Sequence, residues 1–341
     1  MNLLIFAPSY SPKTGGVEKH IRAVVKCLVE RGFTIKIAVR WDEKIPQRQI
    51  VDGVEVRRLP KTMSSLYLFV WALKNPNFFW KLDAIHSHDI YPRLFRKLLP
   101  QIRWVHTFHG YEGFPINPAA IISRKVIRNE VPICIGVGLF IEKWYETKCD
   151  YIIYGAVDNA DLPKTKLPAI WDIVYIGRLE KDTGFEDYLK GLAIISIKHK
   201  TARLVVLGDG KLMGWACEFV AQNNLHVQFM GMIGNVEDYL AKSSSAFASG
   251  YLGIIEAGLY ELPIIAHYGN PLKKDYLEMH PMAKELFIVS SPEAVAAAYD
   301  ETLLPDAKNK VARLNLWSQH QSWDKIVDIY ETSYRAEKDF A

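Results

Sequence analysis

Five short stretches of this 341-residue chain put glycine, histidine, arginine or glutamate where an apolar run ends, and each could hold part of an anionic or hydroxylated ligand. In PSYSPKTGGVEKH (residues 8–20), Gly15 and Gly16 let backbone amides approach a ligand at a helix N-terminus, whose partial positive charge favours anions. In HTFHG (106–110), His109 follows an apolar run and can hydrogen-bond a sugar hydroxyl, and His86 and His88 end another run in IHSHD. In IVYIGRLEKDTG (173–184), Gly177 and Arg178 follow a third, and the fixed fork of arginine donors suits a diphosphate. VVLGDGKLM (205–213) and FMG (229–231) offer Gly208, Asp209, Gly210 and Gly231 as exposed backbone under a base or ribose. Finally, FASGYLGIIEAGLYELPIIA (247–266) has a glycine-rich turn whose amides could hold a phosphate, with Glu256 one turn on as an acceptor for two ribose hydroxyls. Each stretch alone also has an ordinary structural explanation: a Gly-Gly turn, a packed histidine, a surface ion pair, or a glutamate that favours its own helix dipole.

The elements that position these residues alternate between two periods. Strand-like runs at Leu3–Phe6, Thr34–Val39, Val54–Arg58, Ala84–His86, Trp104–Phe108, Ile133–Gly136 and Tyr151–Tyr154 are interleaved with helical patterns at Val17–Glu30, Tyr91–Leu99 and Pro118–Asn129. The segment 158–170 carries Pro163 and Pro168 with no apolar period and reads as a linker that acts as a hinge. The alternation then restarts at Ile173–Ile176, Leu204–Leu207, Val227–Phe229, Ala246–Ala248 and Ile264–Ala266, and Trp323–Ala336 is a last amphipathic helix. The pattern predicts α/β architecture with mostly parallel sheets, whose ligands bind beyond the carboxyl ends of the strands.

Composition narrows the class. Hydrophobic residues at 49% and charged residues at 23% describe an ordinary globular protein, and the net charge of +4 says little about partners. Residues 1–155 hold 23 Lys+Arg against 13 Asp+Glu, and the rest hold 19 against 25, so the first half is the one expected to meet an anionic surface. Arg93, Arg96, Lys97 and Arg103, beside the aromatic stretch Leu66–Trp80, make an anionic membrane the expected surface, and no nucleic-acid partner is expected. The four cysteines are scattered, without C-x-x-C, and no apolar run nears the ~20 residues of a membrane span, so a cytoplasmic protein is expected. The glycine loop is not G-x-G-x-x-G, which disfavours a nicotinamide cofactor.

The order and spacing of the five stretches together resemble glycosyltransferase family 4, a group of retaining enzymes with the GT-B fold. GGVEKH resembles its first glycine loop, TFHG its cleft histidine, YGAVD its N-G-V-D, GRLEKDTG its G-R-L-x-x-x-K-G, and IIEAGLYELPIIA its L-E-A-x-A-x-G-x-P-V-V-A. The closing QSWDKIVDIYETSY resembles its last helix. The resemblance implies two Rossmann-like, doubly wound domains facing a cleft: 1–157 on the acceptor side, with 321–341 packed back onto it, and 171–320 binding the nucleotide sugar. It implies that His109 faces the transferred sugar, Arg178 neutralises the diphosphate and Glu256 holds the ribose. Gly15, Gly16, Gly177, Lys181, Gly208, Asp209, Gly210, Gly231, Gly253, Ile254 and Ile255 complete the donor site. No metal and no cofactor is implied, since the chain has no D-x-D; the donor is a nucleotide-diphosphate sugar, UDP before GDP, and the acceptor a glycan, a lipid-linked glycan or a small molecule. The chain departs from the family at Thr183, where a lysine is usual, and at Ala248, where a first glutamate is usual. A nucleotide-sugar-binding protein without turnover and an epimerase of the same fold are the alternatives.

Overall fold

The computed structural model describes residues 1–12, 15–40, 44–59, 65–158 and 167–336. Most of the expected linker, 159–166, and the side chains of 65–69 at the start of the aromatic stretch lie outside the described residues. The chain divides into two compact units, Met1–Tyr154 with Trp323 onward, and Gly155–Ser322.

The first unit holds an eight-stranded sheet. Its strands are β1 (Asn2–Ala7), β2 (Thr34–Arg40), β3 (Arg48–Val51), β4 (Val54–Leu59), β5 (Ala84–His88), β6 (Arg103–Phe108), β7 (Ile133–Val137) and β8 (Tyr151–Ile153), in spatial order β3-β4-β2-β1-β5-β6-β7-β8. All pairs are parallel except the β3–β4 edge. The inner strands are apolar on both faces because helices cover both sides of such a sheet: β1 is buried from Leu3 to Ala7 and β5 throughout. Sequence reading missed β3, whose residues are mostly exposed and show no alternation. Helix α1 (Gly16–Glu30) buries His20, Ile21, Val24, Val25 and Leu28 at helical spacing. Helices α2 (Ser65–Lys74), α3 (Arg93–Leu98), α4 (Pro118–Glu130) and α5 (Phe140–Tyr145) follow along the unit.

The second unit has six parallel strands. They are β9 (Trp171–Ile176), β10 (Arg203–Leu207), β11 (His226–Gly231), β12 (Ser243–Phe247), β13 (Ile264–His267) and β14 (Phe287–Val289), in order β11-β10-β9-β12-β13-β14. Helices α6 (Phe185–Lys198), α7 (Met213–Gln222), α8 (Glu237–Leu240), α9 (Tyr251–Leu259), α10 (Pro271–Glu278), α11 (Pro292–Thr302) and α12 (Ala307–Gln319) connect and cover them. Phe185, Tyr188, Leu189 and Leu192 of α6 fill the core under β9 and β10. In both sheets the chain reverses direction at one point, between β1 and β5 and between β9 and β12, which is where doubly wound sheets open a crevice for ligand.

The last helix, α13 (Trp323–Arg335), belongs to the first unit. It buries Trp323, Ile326, Val327, Tyr330 and Tyr334 on one stripe. Asp324, Asp328 and Glu331 on its other side reach Arg31 beyond the end of α1, at 2.9, 2.6 and 3.2 Å. These exposed pairs fix orientation more than they stabilise.

The aromatic stretch is turned partly inward. Phe78 is buried, Trp71, Phe78 and Phe79 contact one another edge to face, and Phe79 meets Phe95 of α3 at 4.9 Å. Arg93 is engaged by Glu130 and Arg96 donates to the Glu130 carbonyl at 2.9 Å, so two of the four clustered cations are already partnered. Among the described residues no helix is long and apolar enough to cross a membrane, and no disulfide joins the four cysteines.

Candidate functional site

The reversal point of the first unit is occupied by histidine. His86 and His88 alternate on β5 and so share a face, with stacked rings 4.1 Å apart. His20 comes from α1, and His106 and His109 from β6 and the turn after it. A hydrogen-bonded chain with one consistent proton direction ties this cluster to α13. Tyr334 Oη lies 2.6 Å from His86 Nδ1, His86 Nε2 lies 2.8 Å from Thr107 Oγ1, Thr107 donates to Tyr330 Oη at 3.3 Å, and Tyr330 Oη lies 2.8 Å from His20 Nε2. With each hydroxyl donating onward, His86 carries its proton on Nε2 and His20 accepts at Nε2. His109 Nε2 is 2.8 Å from His88 Nδ1, and its amide donates to Asp89 Oδ1 at 2.9 Å. Burial pushes every one of these imidazoles down, His106 and His109 to about 3, helped by the Arg124 guanidinium. His109 is therefore a neutral ring that can share a hydrogen bond with a hydroxyl, and it is not a proton donor at neutral pH. The rings stack and pair with hydroxyls; among the described residues no group of three or more His, Cys, Asp or Glu is arranged to hold a metal.

Gly15 is the N-cap of α1 and Gly16 its first residue. The Glu18 carboxylate, which accepts from Ser9, lies 2.5 Å from where a Gly15 β-carbon would stand, so this helix N-terminus already faces a carboxylate of its own.

The reversal point of the second unit assembles the other residues. Gly177 and Arg178 follow β9; Arg178 is exposed and its guanidinium meets Asp182 at 2.7 Å. Lys181 opens a short 3-10 turn, Lys181–Thr183, and is exposed. Thr183 Oγ1 lies 2.7 Å from each of the Arg178 and Glu180 carbonyl oxygens, which share its one proton, so it closes the loop and does not reach outward. Gly208 and Gly210 are required by backbone packing. A β-carbon at Gly208 would stand 1.8 Å from the Gly177 oxygen, and one at Gly210 2.4 Å from the Leu179 oxygen. Between them Asp209 Oδ1 accepts from the Gly210 amide at 2.7 Å, and Gly231, ending β11, gives its carbonyl to the Gly208 amide at 2.9 Å.

Beyond β12, Ser249 leads into Gly250, the N-cap of α9. Ser249 is held firmly: its Oγ is 2.7 Å from Tyr188 Oη and accepts from the His267 amide at 2.9 Å. Of the first-turn amides, Tyr251 N–H donates to Tyr276 Oη at 2.9 Å, while those of Leu252 and Gly253 have no acceptor among the described residues. The Ile254 amide is bonded to the Gly250 carbonyl, and the side chains of Ile254 and Ile255 lie in the core. These two residues are thus set apart from the two first-turn amides that lack an acceptor. Glu256 is 9% exposed on the same helix, and Ala248 is fully buried.

Sequence reading passed over Lys273 on α10, which is buried beside this turn, and the tyrosines of α13. The alternation of His86 and His88 was a usable signal for the histidine cluster; nothing in PLKKDYLE distinguishes Lys273 from Lys274.

A family model described as Glycosyltransferase Family 4 matches residues 14–153, and one described as Glycosyl transferases group 1 matches residues 171–304. No curated protein matches the chain. Among solved structures, a glycosyltransferase from Rickettsia africae ESF-5 is 16% identical with a TM-score of 0.68, over 98% of this chain and 99% of that one. WaaG, a glycosyltransferase involved in lipopolysaccharide biosynthesis, is 10% identical with a TM-score of 0.66, over 98% of this chain and 100% of that one. A trehalose-6-phosphate structure from E. coli bound with UDP-2-fluoro glucose is 10% identical with a TM-score of 0.67, over 99% and 100%. At such identities these structures establish the fold.

Proposed function

The chain belongs to glycosyltransferase family 4, with the GT-B fold, and from that premise we propose that it moves a sugar from a nucleotide-diphosphate donor, UDP before GDP, with retention and without a metal. The observation that carries this reading is the reversal point of the second sheet. There Arg178 follows β9, and the Leu252 and Gly253 amides, which have no acceptor among the described residues, lie in the first turn of α9 after β12. A cation and a helix N-terminus together make a diphosphate site. On this reading the Asp182 partner yields Arg178 to the phosphates, an exchange of little consequence for an exposed pair. Glu256 takes the ribose hydroxyls and neutral His109 a hydroxyl of the transferred sugar. As the sugar–phosphate bond breaks, charge grows on the leaving diphosphate, and fixed protein charge stabilises it. The UDP-sugar in the E. coli structure supports UDP as the first donor to try.

Glu256→Gln tests the ribose assignment. Replacing the charged acceptor by a neutral amide removes a contact of about 1.5 to 3 kcal/mol, so UDP or GDP should bind roughly tenfold more weakly or worse by calorimetry. Equal affinity of the two proteins contradicts the assignment.

We place the acceptor, a glycan or lipid-linked glycan, at the cytoplasmic face of a membrane, with the first unit on anionic lipid. Since Arg93 and Arg96 are engaged, exposed Lys97, Trp80, Leu73 and Leu98 carry that contact. The protein should sediment with anionic vesicles and be released by salt; equal sedimentation with neutral vesicles contradicts it. A second reading, donor binding without turnover, draws on Thr183 and Ala248, which supply neither of the family's usual charged contacts.

A further inference from the structure

Lys273 is 6% exposed, yet among the described residues no carboxylate lies within ion-pair distance of its ammonium. Nζ donates to the Ser249 carbonyl at 2.6 Å and lies 3.7 Å from the centre of the Tyr276 ring, and its remaining N–H groups have no acceptor among the described residues. Lysines are almost never this buried unless paired. The position is unfavourable in a second way. Ser249 immediately precedes the N-cap of α9, so the ammonium stands at the positive end of a helix dipole. A residue needed just to grip the Ser249 loop would not have to be charged, and Tyr188 and His267 already grip it. An anion bound at the α9 amides relieves both penalties at once.

We propose that Lys273 supplies the second positive charge for the donor diphosphate, in place of the lysine the family carries where this chain has Thr183; this rests on the nucleotide-sugar reading above. Thr183, turned onto the Arg178 and Glu180 carbonyls, cannot do so. Lys273 reaches the same anion from α10, and Asp182 and Arg178 are the charges whose fields it feels.

The assignment has a proton signature. Burial lowers the free Lys273 ammonium to about 7, with Asp182 opposing the shift and Arg178 adding to it. The other groups around it are His267, which contacts the Asp187 carboxylate at 2.8 Å, and the stacked Tyr251 and Tyr276 with His280, whose imidazole burial lowers to about 4. A bound diphosphate favours the charged lysine, so binding at pH 8 must take up a proton. Affinity should then fall as pH rises from 7 to 9, by up to about tenfold per unit. Calorimetry with UDP, GDP and ADP, run in buffers of differing ionisation enthalpy, measures both quantities. The ratio of wild type to Lys273→Arg, whose guanidinium stays charged, cancels the titration of the nucleotide itself.

We expect proton uptake at pH 8 in the wild type and none in Lys273→Arg, and Lys273→Met to bind about ten- to hundredfold more weakly at pH 7. If Lys273→Met does not fold, the proton uptake of the wild type decides. No uptake with parallel pH profiles, or Lys273→Met binding as tightly as wild type, overturns the assignment while leaving the nucleotide reading intact. A wild type that binds none of the three overturns that reading and this one with it.

Discussion

Lowering the pH from 7.5 to 5 should unfold the first unit. His20, His86, His88 and His106 are buried as neutral rings, and His109 sits at the edge of the same cluster. All have folded-state pKa values below the 6.5 of an unfolded chain. For a group depressed in this way the stabilisation is complete above 6.5 and is lost as pH falls towards the folded value, because the unfolded chain binds protons that the folded one refuses. His106 and His109, at about 3, together remove roughly 3 kcal/mol per pH unit below 6.5. The other three act with the same sign. Asp89 works the other way, its carboxyl pushed up to about 6 by desolvation, but a single carboxylate offsets at most one proton. Against a typical stability of about 5 to 15 kcal/mol, the balance is exhausted near pH 5. Tryptophan fluorescence and near-ultraviolet circular dichroism, followed through an acid titration, measure it. The same melting temperature at pH 5 and pH 7.5 would show that the cluster is not neutral in the folded protein.

Arg178→Ala should lower turnover by about a hundred- to a thousandfold while weakening nucleotide binding less. The guanidinium meets the diphosphate in the ground state, but negative charge on the leaving group is largest at the transition state. Loss of the Asp182 pair itself matters little, since both side chains are well exposed. A variant whose affinity and turnover fall by the same factor would place Arg178 in ground-state binding alone.

The two parallel sheets are readable from the chain because strands buried on both faces appear as unbroken apolar runs, such as LLIFA in β1 and LVVL in β10. What escapes are β3, which lacks such a run and whose pairing with β4 leaves most of its residues in solvent, and β14, whose apolar run is only three residues long. Glycines at strand ends stand out in sequence, yet their reasons differ in ways that sequence hides. Gly208 and Gly210 are fixed by neighbouring carbonyls, whereas the Gly253 amide has no acceptor among the described residues. Ile254 and Ile255 share the α9 stretch with Gly253 and still point into the core, since a helix buried on most sides spends its apolar residues on packing. Lys273 is the opposite case. Its type and setting suggest a solvated helix face, and only the packing of α10 against the Ser249 turn buries it. Charge state and burial are properties of tertiary contact, so the histidine cluster and the lysine became meaningful when the sheets were assembled.

The most direct test of the account is release of nucleoside diphosphate from a panel of UDP- and GDP-sugars, with a membrane or glycan extract as acceptor source and with chelator present. The account predicts release from at least one donor that depends on the extract, survives EDTA and is nearly abolished in Arg178→Ala. Tight donor binding with no extract-dependent release from any donor, in a protein that melts cooperatively, would contradict it and leave a nucleotide-sugar site without a transfer reaction.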